Sequence, residues 1–101
     1  MGYSLGVTFN WSDQKNELLK QTRGISFEEI VIAIEEGNIF DVVTHPNAER
    51  YPQQQIYLVV CRHYVYAVPF VRDISKEEIF LKTIYPSRKY TKRYRSPEEE
   101  T

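Results

Sequence analysis

The sequence predicts an α+β domain: a small antiparallel β-sheet with two N-terminal helices packed on one face and a short C-terminal helix. Three observations lead there. Two capped helical patterns occupy residues 12–37, four strand-like runs follow one another over residues 39–85, and a Lys-, Arg- and Tyr-rich segment closes the pattern behind Ser87. Helices grouped ahead of consecutive strands form layers, not alternating βαβ units. The 101 residues allow one domain with one modest core, expected over residues 1–95, with 96–101 a fraying acidic tail.

Each element has a local reason. Residues 3–10 alternate loosely and read as a first strand. Ser12 is a candidate N-cap for a helix over 13–22, and Gly24 a natural stop. That helix is polar apart from Leu18 and Leu19 and belongs on the surface. Ser26-Phe-Glu-Glu29 is a capping box, with Glu29 expected to reach back to the Ser26 amide. Phe27, Ile30, Val31 and Ile34 recur at helical spacing and mark a core face, and Gly37 ends that helix. Residues 39–43 form a short apolar run, and His45-Pro46-Asn47 a turn. Strands are expected over 54–62 and 64–71, with His63 near their tight connection. After a turn at 73–76, the last strand runs over 78–85, alternating Ile79, Leu81, Thr83 and Tyr85 against Phe80, Lys82 and Ile84. Pro86, which cannot donate to a ladder, marks its end. Ser87 caps a closing helix from Arg88 to about Tyr94.

Charge is segregated although the net charge is only −1. Residues 26–49 hold six acids and no Lys or Arg, whereas Lys82 to Arg95 holds six basic residues and no acid. Such separation steers a polyanion to one side of a molecule that is nearly neutral overall. Lys89, Lys92 and Arg93 interleave with Tyr90 and Tyr94, a pattern that suits an RNA strand: cations meet phosphates and rings stack on bases. The same composition also suits a solvated helix face. Lys82 is the anomaly, a lysine within an apolar strand. Either it snorkels or meets an acid, or it points into a cleft where a cation is wanted. Arg88, just past the strand end, can hold a phosphate with its fork of donors.

Other chemistries lose their signals. There is no Gly-rich phosphate loop, nucleophile elbow or paired-carboxylate motif. The two histidines, His45 and His63, lack metal-ligand spacing, so neither a metal nor a cofactor is expected. His45 is either a local hydrogen-bonder in its turn or a general acid or base. The lone Cys61 sits in an apolar run and reads as a structural thiol. With no signal peptide and no long apolar span, a cytoplasmic protein with no membrane association is expected.

Four stretches in order resemble the landmarks of BrnT-type toxins: Phe9-Asn-Trp-Ser-Asp-Gln-Lys-Asn16, Arg23-Gly-Ile-Ser-Phe-Glu-Glu-Ile30, Glu49-Arg50, and Lys82 to Tyr94. In the last, Pro86-Ser87-Arg88-Lys89 stands where the family shows Ser-Ala-Arg-Lys-Ala. The resemblance spans residues 8–94 and implies a RelE-like fold and a metal-independent endoribonuclease of a type II toxin–antitoxin module. It further implies a ribbon-helix-helix antitoxin as partner, RNA as substrate, and operator DNA reached only through the antitoxin. For the site it implies Lys82 and Arg88 on the phosphate, with Arg50 next and His45 as acid or base. Tyr85 or Tyr94 would stack on a base, and Lys89, Tyr90, Lys92 and Arg93 would bind RNA. Arg23 replaces the family's histidine before the glycine, and a guanidinium supplies charge but no base near neutral pH. That substitution keeps open a second expectation, a non-catalytic module that binds protein or RNA.

Overall fold

The computed structural model describes residues 7–44, 46–52 and 54–96. The element order is β1 (Thr8–Asn10), α1 (Asp13–Arg23), α2 (Phe27–Glu35), β2 (Ile39–Thr44), β3 (Gln54–Cys61), β4 (Tyr64–Asp73), β5 (Glu78–Leu81), β6 (Tyr85–Pro86) and α3 (Arg88–Arg95). Both early helices start and stop where their caps put them. The Lys15 N–H donates to Ser12 Oγ at 3.1 Å, and Gly24 ends α1 in the left-handed region at φ 65°. Ser26 Oγ accepts the Glu29 N–H at 3.2 Å. The reciprocal half of the capping box does not form, because the Glu29 carboxylate turns to Arg62, at 2.6 and 2.7 Å.

One sheet runs in the order β1-β5-β4-β3-β2, with β6 also on β4. The β2–β3, β3–β4 and β4–β5 pairs are antiparallel, as expected, but β1 lies parallel to β5, with Phe9 opposite Ile79. The sheet is therefore mixed. The free edge of β5 accepts the first strand, and three residues of alternation in β1 carry no mark of strand direction.

The two faces of β3 and β4 are both covered. On one, Tyr57 and Val59 with Val68 and Phe70 join Leu19, Phe27, Ile30 and Ile34 from α1 and α2. Asn16, 3% exposed, joins these helices: its amide donates to Glu28 Oε1 and its carbonyl oxygen accepts the Phe27 N–H, both at 2.8 Å. On the opposite face, Ile56, Leu58, Val65 and Ala67 form a smaller cluster, with Val43, Val60 and Tyr90 of α3 against it. The third helix thus sits across the sheet from the other two.

The last expected strand is broken. β5 stops at Leu81, and residues 82–84 form no ladder. Leu81 pairs with Phe70 and Tyr85 with Ala67, so four steps along this segment match three along β4. The extra residue is a bulge in effect, and it reverses which side chains face which side. Ile84 turns into the α1/α2 core at 0% exposure. Tyr85, opposite Ala67, moves to the α3 face. The sequence expectation, with Tyr85 beside Ile79 and Lys82 beside Ile84, fails because it assumed an unbroken alternation.

Candidate functional site

α3 is pinned at its start and along one side. The Ser87 N–H donates to the Val65 carbonyl at 2.8 Å, and Ser87 Oγ accepts the Tyr90 N–H at 3.2 Å. The buried Thr91 hydroxyl accepts the Val65 N–H at 2.9 Å. Tyr90 and Tyr94, one turn apart, meet Phe40 of β2 edge-on, with centroids 6.3 and 6.2 Å away. Phe40 lies where the β2 register shifts, between Ile39 and Asp41. The remaining side chains of α3, except Thr91, are those of Arg88, Lys89, Lys92, Arg93 and Arg95, all exposed.

A cavity of about 340 Å³ opens between α3 and the sheet. Its floor is Val43, Ile56, Leu58 and Ala67, and its walls include Tyr85, Ser87, Lys89 and Tyr90, with Thr44 and Pro46 toward the β2–β3 loop. Of the residues singled out in the sequence, this cavity brings together Tyr85, Lys89 and Tyr90. Lys89 Nζ stands over the Tyr90 ring, 5.3 Å from its centroid, and the Arg93 guanidinium approaches the same ring at 5.5 Å. Among the described residues, Lys82, Arg88, Lys89 and Lys92 have no ion pair. Their cationic charge is available to a ligand.

Lys82 is exposed, and its N–H donates to the Pro69 carbonyl at 2.8 Å. It leaves the apolar strand just past Leu81 and meets no acid among the described residues. Since Leu81 faces the α1/α2 core, strand alternation turns Lys82 toward the α3 face. It does not line the cavity, and neither does Arg88, which sits in the first turn of α3. Arg50 is exposed in the β2–β3 loop, with its guanidinium 5.7 Å from the Tyr51 ring centroid. His45 lies outside the described residues. Tyr94 borders a different cavity, of about 380 Å³, with Arg62 and Glu29.

Arg23 has a partner of its own. From the end of α1 its guanidinium donates to the Ile84 carbonyl, inside the irregular segment between β5 and β6. That bond ties down the segment from which Lys82 and Tyr85 project. It also engages the guanidinium that stands in the place of the family's histidine.

Sequence reasoning missed Arg62. Arg62 and His63 form the two-residue turn between β3 and β4, both left-handed, at φ 57° and 63°. No glycine or asparagine announces this turn. Contacts compensate: the Arg62 guanidinium grips both Glu29 oxygens and donates to the Gly24 carbonyl at 3.0 Å. The His63 carbonyl accepts Arg95 Nε at 3.0 Å. Burial, then the neighbouring Glu29 charge, pushes the Cys61 thiol up, which disfavours the reactive thiolate.

Among the described residues no group of three His, Cys, Asp or Glu side chains could hold a metal ion, and no helix is long and apolar enough to cross a membrane. No protein-family model matches the chain, and no curated protein matches it. The chemistry of the site therefore rests on its own geometry.

Proposed function

We propose that this chain is a metal-independent endoribonuclease toxin of the BrnT type, silenced by a ribbon-helix-helix antitoxin and acting on RNA in the cytoplasm. The observation that carries the reading is the cleft beside α3: an apolar floor, tyrosine walls and Lys89 at its side, with Lys82, Arg88 and Lys92 elsewhere on or beside α3 and, like Lys89, without ion pairs among the described residues. Such a surface suits a polyanion whose bases are available for contact.

RNA supplies its own nucleophile, the 2′-hydroxyl. Its oxygen bonds to the adjacent phosphorus, the bond to the 5′-oxygen breaks, and the products are a 2′,3′-cyclic phosphate and a 5′-hydroxyl. The proton lost by the nucleophile is balanced by one gained at the leaving oxygen. Cations fixed around the phosphate stabilise the extra charge of the pentavalent transition state. Lys82, on the segment held by Arg23, and Arg88, in the first turn of α3, are the groups for that task. Lys89 at the cavity wall joins them. Arg50 flanks from the loop, and His45 is the candidate for moving the proton.

Two observations favour the non-catalytic alternative. Arg23 is occupied by the Ile84 carbonyl, and none of the described cavity residues is a histidine or a carboxylic acid. A protein that binds RNA or a partner without cutting would have the same surface. Induced expression of the chain with and without Arg88→Ala, together with cleavage of single-stranded RNA by the purified protein in excess chelator, separates the two. Growth arrest and cleavage that both require Arg88 support the enzyme. RNA binding without cleavage supports the binding module.

A further inference from the structure

We propose that the cavity between α3 and the sheet is a pocket for one unstacked nucleobase of single-stranded RNA, with Tyr85 as the stacking platform. This inference rests on the RNA-directed reading above and assigns that surface a subsite.

The three tyrosines near the cleft are not equivalent. Tyr90 has its ring between Lys89 and Arg93, with Phe40 at its edge, and Tyr94 meets the same Phe40. Tyr85 has no aromatic or cationic partner among the described residues, yet it is 39% exposed and borders the cavity. It faces the cavity because of the one-residue register slip between Leu81 and Tyr85. Without that slip, alternation would turn the ring toward the α1/α2 core.

The cavity suits a base in three respects. Its floor of Val43, Ile56, Leu58 and Ala67 is uncharged, which suits a flat heterocycle and costs a buried ion heavily. At about 340 Å³ it lies at the small end of the ~300–1,000 Å³ range of small-molecule sites, with room for a base. The Lys89 ammonium stands on the wall, where the phosphate attached to that base would leave the pocket. A base can enter only from a single strand or an opened helix, since the rings of a duplex are stacked away.

The test uses a 2′-O-methyl RNA hexanucleotide, uncleavable because its nucleophile is blocked, and the same backbone made fully abasic. Binding to the full-length, isotope-labelled protein is followed by NMR. The intact strand should shift the amides of Leu58, Ala67 and Tyr85 in addition to those along α3, and the abasic strand only those along α3, such as Arg88 and Lys92. Tyr85→Leu keeps an apolar side chain in β6 and should weaken the intact strand about 5- to 150-fold, the range for losing one base–aromatic stack, while leaving the abasic strand unchanged. Tyr85→Trp should retain the affinity. Equal binding of the two strands, no shift at the cavity, or no effect of Tyr85→Leu would each overturn the pocket. Cleavage of ordinary RNA is scored separately. Cutting without cavity shifts refutes the pocket and leaves the ribonuclease, whereas cavity shifts without cutting uphold the pocket and refute the ribonuclease.

Discussion

The two faces of the central sheet are built to different ends. The α1/α2 face is closed: Phe27, Ile30, Ile34, Phe70, Leu81 and Ile84 are buried together, and its main polar insertion, Asn16, has two hydrogen-bonded partners. The α3 face is only partly covered by one eight-residue helix, and its cations have solvent around them. Packing of the first kind supplies stability, because burial of apolar surface is the main favourable term in folding. The second kind leaves an apolar floor beside Lys82, Arg88, Lys89 and Lys92, which have no ion pair among the described residues, an arrangement that gains little until something binds. The difference teaches that substitutions on the two faces should separate into stability effects and functional effects.

The largest expected effect is on the closed face. Phe27→Ala removes a fully buried ring that stacks on Trp11 at 5.6 Å, and should cost about 3–5 kcal/mol in a chemical denaturation experiment. In a domain whose total is about 5–15 kcal/mol, that leaves little margin. On the open face the reverse is expected. Lys82→Ala, Arg88→Ala and Lys89→Ala should each move stability by less than about 0.5 kcal/mol. Each should nonetheless lower RNA cleavage by about 10²-fold, comparable to losing one preorganised donor. A large stability loss in any of these three would show that the open face is structural.

Much of this division was legible in the residues, and what was hidden has physical causes. Ser12, Ser26 and Ser87 announced all three helices, because a capping hydroxyl and its N–H partner lie three residues apart in the chain. The apolar spacing of Phe27, Ile30 and Ile34 announced the core face. Strand partners are a different matter, since alternation assigns a face and says nothing about which neighbour is bonded. The parallel β1–β5 pair stayed hidden for that reason. The slip near Lys82 was hidden because Ile84 reads equally well as the next step of a regular strand, and only packing against α1 and α2 decides. At the site, the basic and aromatic character of α3 was plain in the sequence. That Tyr85, and not Tyr90 or Tyr94, presents a ring with no aromatic or cationic partner among the described residues depends on the slip and on Phe40, and no local pattern encodes either.

Two smaller effects sharpen the comparison. Asn16→Ala orphans the Phe27 N–H and should cost about 1–3 kcal/mol. Its acid response is also specific. The Asn16 amide holds the Glu28 carboxyl below its ordinary value of 4.5. A depressed carboxylate contributes stability that is fully present above that value and is lost as pH falls through the lower, folded-state value. Wild-type protein should therefore lose more stability than Asn16→Ala between neutral pH and strong acid, read from denaturation midpoints along a pH series. The smallest effect belongs to the Arg62–Glu29 pair, which is partly solvent-exposed. Glu29→Gln should cost no more than about 1 kcal/mol. The same change removes a charge that raises the Cys61 thiol, so alkylation of Cys61 should begin at lower pH in the variant.

The central claim is that the open face acts on RNA while the closed face holds the molecule together. The measurement that tests it most directly is the rate of single-stranded RNA cleavage, in excess chelator, by wild-type protein, Arg88→Ala and Ile30→Val, each corrected for its folded fraction. The account predicts that Ile30→Val, which trims the closed core, cuts at the wild-type rate per folded molecule, and that Arg88→Ala is slower by about 10²-fold. Full cleavage by folded Arg88→Ala, or no cleavage by the folded wild-type protein, would contradict it.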